Sequence, residues 1–127
     1  MEIDSLTEKI IGLCIKIHST VGPGCLERVY EEILYYEICK KNIPVRRQML
    51  MPLVYERLSI PDAYKLDLLI DERLILEIKS VETISPVHFK IVMTYLNLMN
   101  LKNGMILNFK VNLMKEGVHR IFNNNGY

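Results

Sequence analysis

Several features are missing from this 127-residue chain, and each absence narrows what it can be. Cysteine is scarce. Cys14, Cys25 and Cys39 make an odd count with no CxxC pair, so neither a disulfide framework nor a zinc knuckle is expected, and reduced thiols of a cytoplasmic protein are the plain reading. No stretch reaches the ~18 apolar residues that a membrane helix needs, so no membrane partner is expected. The start, MEIDSLTEKIIG, lacks the basic opening and unbroken apolar run of a secretory signal. Neither sign of charge is in excess: 16 basic against 15 acidic side chains give a net charge of +1. A strongly basic nucleic-acid binder is thereby excluded, though one basic face on a small domain is not. There is no internal repeat and no Ser/Gly linker, and the length suits one domain spanning residues 1–127.

What is present is ample apolar material, half of all residues, arranged in alternating helix-like and strand-like runs. Leu6–Thr20 places Ile10, Leu13, Cys14 and Ile17 at helical spacing, with Asp4 or Ser5 as cap, until Gly22-Pro23-Gly24 breaks it. A second helix is expected from Cys25 to Lys41, stopped by Asn42 and Pro44. Val45–Tyr55 reads as extended, and Pro52 in its middle makes it an edge strand or a bulged one. Glu56–Ala63, with Pro61-Asp62, reads as a loop. Two strands follow, Tyr64–Ile70 and Leu74–Lys79, joined by Asp71-Glu72-Arg73. Ser85-Pro86 starts a third helix that runs to about Asn100. Asn103-Gly104 turns into a strand Met105–Phe109, a last strand covers Gly117–Phe122, and the tail Asn123–Tyr127 is expected to fray. The order predicts an α/β fold: one mixed sheet flanked by helices. The edge segments Val45–Tyr55 and Gly117–Phe122 could each serve a homodimer.

The chemistry sits in the two adjacent strands. Side-chain alternation puts Ile75, Glu77 and Lys79 on one face, and Lys65, Asp67 and Leu69 on one face. A three-residue connection pairs Ile70 with Leu74 and brings Asp67 opposite Glu77; a two-residue connection would slip the register and separate the acids. In the first register the carboxylates have Cβ atoms roughly 4.5–5.5 Å apart, which is unfavourable for like charges unless something compensates. A hard cation does so, and Lys79 would lie beside it, able to orient a water. The same three residues could instead form a surface ion network, or a buried Asp67–Lys79 bridge. The nearly unbroken hydrophobic runs around them favour a compensated buried site over a solvated one.

Leu66-Asp67-Leu68-Leu69-Ile70 followed by Leu76-Glu77-Ile78-Lys79 resembles the D-x(n)-E-x-K signature of PD-(D/E)XK nucleases. Gly24-Cys25-Leu26-Glu27-Arg28-Val29-Tyr30, after Val21-Gly22-Pro23, resembles the motif of the GxxExxY proteins within that superfamily, and the likeness runs from about Ile10 to Ile121. The resemblance implies a restriction-endonuclease-like core and a metal-dependent nuclease acting on DNA or RNA. Mg²⁺ or Mn²⁺ would be held by Asp67, Glu77 and the Ile78 carbonyl, with Lys79 as catalytic lysine and Glu27 as an added acid. Glu27 in a first helical turn is equally what the helix dipole favours. Related nucleases often carry a glutamine one turn before the tyrosine of the third helix; here that position is Ile91, before Tyr95. A catalytically weak or inactive binding module on the same fold is therefore the alternative. Tyr30 is expected in the core, His88 as a structural or solvated residue, and Lys40-Lys41 with Arg46-Arg47 as a small basic cluster.

Overall fold

The computed structural model describes residues 1–124, which form three α-helices and one five-stranded mixed sheet. Helices α1 (Ile3–Val21) and α2 (Glu27–Lys40) come first. They are followed by β1 (Val45–Tyr55), β2 (Leu58–Ile70) and β3 (Leu74–Lys79). Helix α3 (Pro86–Met99) then crosses to β4 (Asn103–Asn108), and β5 (Val118–Phe122) closes the sheet. The strands lie in chain order; β3 and β4 are parallel, and every other pair is antiparallel. A crossover helix is what a parallel pair requires, and α3 supplies it.

Two hydrophobic layers hold the sheet between the helices. On one side Ile10, Cys14 and Ile17 of α1 and Tyr30, Leu34 and Ile38 of α2 pack on Leu68, Ile70, Leu76 and Ile78. On the other, Val92, Tyr95 and Leu96 of α3 pack on Leu66, Leu69, Ile75 and Ile106. This is why β3 reads as a continuous apolar run: it is buried on both faces.

Apart from end shifts that put Asn103-Gly104 inside β4 and start α2 at Glu27, the structure departs from the sequence reading in four places. Leu58–Ala63 is strand, not loop, so β1 and β2 form one long hairpin turning at Glu56-Arg57. Its two prolines fall where the register slips, between the pairs Met51↔Tyr64 and Leu53↔Ile60, so neither interrupts a regular ladder. Helix α1 starts at Ile3 with Glu2 as its cap residue, because the Leu6 N–H already reaches the Glu2 carbonyl. The pleat of β2 is broken at Asp67: Leu66 packs with Leu69 on the α3 side although Leu68 and Ile70 face α1 and α2. Opposite that break, between the pairs Arg47↔Leu68 and Met49↔Leu66, Gln48 has a φ of 52°. Finally, Asn123 is buried and donates to Asn97 and to the Leu101 carbonyl rather than fraying, while residues 125–127 lie outside the described part.

Candidate active site

The β2–β3 pair is a hairpin with one closed end and one open end. At the closed end Ile70↔Leu74, Leu69↔Ile75 and Leu68↔Leu76 are in register, as the three-residue connection demands. Asp71 and Glu72 both take positive φ there, without a glycine. One step beyond Leu68↔Leu76 the strand ladder stops, and Asp67 stands opposite Glu77. Side chains now replace the missing backbone bonds: the Ile78 N–H donates to Asp67 Oδ2 at 2.9 Å, and the Asp67 N–H donates to Glu77 Oε1 at 3.3 Å. The two carboxylates thus sit in the fork between the strands. Lys79 Nζ lies 3.8 Å from Glu77 Oε2. From α2, Glu27 Oε2 accepts the Ser80 N–H at 3.1 Å, which ties the start of that helix to the end of β3.

Two supports fix this end of the sheet. Asn108 accepts the Val81 N–H and donates to the Val81 carbonyl, so its amide continues the sheet past Lys79 like an added peptide. Gly117 is required beside it, because a Cβ there would come 1.8 Å from the Asn108 carbonyl oxygen. The fully buried Tyr30 stacks on Phe109 with ring centroids 4.3 Å apart. Its hydroxyl donates to the Gly22 carbonyl and accepts the Cys25 N–H, pinning the loop that leads into Glu27. Tyr30 therefore packs in the core as expected and serves the loop rather than the carboxylates.

Burial and neighbouring acids make both carboxylates reluctant to ionise. Burial pushes Glu77 up to about 8, with the Asp67 charge second, against the pull of Lys79 and the Asp67 N–H. Burial likewise pushes Asp67 up to about 6; the Ile78 N–H opposes it, and the charges of Glu31 and Glu27 add to the rise while Lys79 offsets it. Tyr95, whose hydroxyl donates to the Lys65 carbonyl, is pushed up to about 12 by burial and then by both carboxylates. The charges of Lys79 and Glu27 act on both carboxylates, so the four residues form one electrostatic cluster.

Asp67 and Ile78 open on a cleft of about 400 Å³ whose other walls include Glu27, Glu31, Arg47 and Lys65. A larger cleft of about 550 Å³ lies across Glu27 and Arg28, toward Gly24, Ser80 and Lys110, and holds neither strand carboxylate. Glu31 is a site residue that the sequence reading missed. It is buried, one helical turn after Glu27, and takes Arg47 Nε at 2.7 Å and the Gln48 side-chain amide. Its i, i+4 spacing from Glu27 was the available signal. The expected basic cluster does not assemble: Arg46 pairs with Glu72, Lys40 with Glu37, and only Arg47 reaches the cleft. His88 caps α3 by accepting the Ser85 N–H. Ile91 is not buried, being 37% exposed.

Residues 4–121 match the family model of the PD-(D/E)XK nuclease superfamily. The chain belongs to that superfamily. No curated protein and no solved structure matches it. The five-stranded mixed sheet with helices on both faces is consistent with a PD-(D/E)XK nuclease fold. Nucleases of this superfamily generally use divalent metal ions. Among the described residues no three or more His, Cys, Asp or Glu side chains are placed to hold a metal. A closed zinc-type site of four protein ligands does not fit here. Two carboxylates crowded together in a partly buried fork do fit an ion such as Mg²⁺, which takes one or two carboxylates and fills its remaining positions from water and phosphate.

Proposed function

We propose that this PD-(D/E)XK protein is a metal-dependent nuclease that hydrolyses phosphodiester bonds of DNA or RNA, and that its resemblance to GxxExxY proteins reflects the same chemistry. The observation that carries the reading is the fork: two carboxylates meet where the strands part, each held by a backbone N–H of the opposite strand. In that reading Asp67 and Glu77, with the Ile78 carbonyl, hold Mg²⁺ or Mn²⁺. The ion would supply charge neutralisation at the phosphate and a more acidic water.

The chain's own groups account for the rest. The Ile78 N–H fixes one oxygen of Asp67 and the Asp67 N–H fixes one oxygen of Glu77, so the opposite oxygens are aimed without loss of side-chain entropy on binding. Lys79 carries a positive charge 3.8 Å from Glu77 and 21% exposed, close enough to orient the attacking water and offset the charge that gathers on the phosphate. Glu27, bonded to the Ser80 N–H, adds a carboxylate at the cleft's edge that can accept a proton from water.

Cleavage of end-labelled DNA and RNA by purified protein, with Mn²⁺ and with chelator, is the test. Cleavage that needs the ion and vanishes in Asp67→Ala and in Lys79→Ala is the expected result. Equal cleavage by the double variant would identify a contaminant and overturn the assignment.

A further inference from the structure

Arg47 and Gln48 are consecutive in β1, so regular alternation would send their side chains to opposite faces. Instead both donate to the one buried carboxylate of Glu31, and both border the cleft that Asp67 opens on. The left-handed backbone at Gln48 makes this possible. That conformation costs a non-glycine residue roughly 1–2 kcal/mol, and strain of this kind gathers where a site needs its side chains turned.

The guanidinium so placed is held from behind and left open in front. Nε is spent on Glu31 at 2.7 Å, and the group lies 5.5 Å from the centroid of the Tyr35 ring. Nη2 stands 3.8 Å from Glu32, too far for a hydrogen bond, and the side chain is 30% exposed. Arginine has five N–H donors; here Nε alone has a hydrogen-bond acceptor among the described residues, and Arg47 lines the cleft. The neighbouring Arg46 is the contrast: Glu72 takes it at two points, 2.9 and 2.8 Å, away from the cleft. An oriented guanidinium with free N–H groups beside a phosphodiester-cleaving centre matches the geometry of a phosphate.

We propose that Arg47 is the site's phosphate-gripping residue, taking backbone phosphate oxygens of the nucleic acid through its Nη groups while Glu31 holds the guanidinium in place. This rests on the nuclease reading above. The nucleic acid is therefore gripped from the β1 side of the cleft, with the cleaved bond at Asp67.

Fluorescence anisotropy with labelled single-stranded DNA and its duplex, in chelator so that nothing is cleaved, tests this across a salt series. Arg47→Gln is expected to weaken binding about tenfold. It should also flatten the slope of log affinity against log salt by ~0.7 for the single strand and ~0.9 for the duplex, the release of one phosphate's counterion. Glu31→Gln keeps the cation and should keep the wild-type slope, whereas the Glu31→Gln/Arg47→Gln double variant, free of any unpaired buried charge, should follow Arg47→Gln. A wild-type slope in Arg47→Gln, or an equal flattening in Glu31→Gln, would make the pair purely structural and overturn the assignment of Arg47 alone. Failure of the wild-type protein to bind either probe, or a labelled single-stranded RNA of the same sequence, would overturn it together with the nuclease reading.

Discussion

The two ends of the β2–β3 hairpin use the same backbone for opposite purposes. At the Asp71 end the ladder is complete, and Leu68, Leu69, Ile70 and their partners Leu76, Ile75 and Leu74 are buried with nothing polar between them. At the Asp67 end the ladder is abandoned, Glu77 is buried beside a half-buried Asp67, and the Asp67 charge adds to the rise in the pKa of Glu77. The first end contributes stability by removing apolar surface from water. The second spends some of that stability on a pair of desolvated acids. On the proposed function, stability and chemistry are thus separated by one residue along each strand, and substitutions at the two ends should separate them too.

The largest effect belongs to the open end and to activity. Asp67→Asn should lower metal-dependent cleavage by several orders of magnitude while leaving the circular dichroism spectrum in place; single-turnover assays read this directly. Next comes Leu76→Ala at the closed end, which should destabilise by about 2–5 kcal/mol through lost burial and a cavity in the double-sided core. Urea unfolding measures it, and activity of the remaining folded protein should be retained.

The third prediction sets the ends against each other by pH. Asp67 is raised from 3.8 to about 6 and Glu77 from 4.5 to about 8, so the folded state holds protons that the unfolded state has released. The favourable contribution is complete below about pH 4 and is lost as pH climbs through 6 and then 8. Metal-free protein should therefore lose stability across that window by on the order of a few kcal/mol, and Glu77→Gln should flatten the loss. An unchanged pH profile in Glu77→Gln would break the contrast. The smallest effect is at the hairpin turn: Glu72→Gly should stabilise by about 1 kcal/mol or less, since Glu72 holds a φ of 58° and its pair with Arg46 is exposed.

The closed end was legible in the sequence and the open end only partly. Three residues between two apolar runs set the register, and the register alone put Asp67 opposite Glu77. The helix break at Gly22-Pro23-Gly24 and the helix start at Ser85-Pro86 were likewise written in local chemistry. Pro52 announced an irregular β1, which the slip after Met51 bears out. Pro61 misled, because a proline at a register slip is invisible to a reading that treats proline as a loop signal. Glu31 and Arg47 were harder still. Their meeting depends on a positive φ at Gln48, a residue type that gives no warning of it, and on the broken pleat at Asp67 across the ladder. Strict alternation, applied to Lys65, Asp67 and Leu69, missed that break.

The most direct measurement is calorimetric titration of Mn²⁺ into the metal-free protein at pH 8, alongside Asp67→Asn and Glu77→Gln. One binding event in the wild-type protein, a melting temperature raised by the ion, and loss of both in either variant are the expected results. Binding of equal strength in all three proteins would contradict the fork as the metal site.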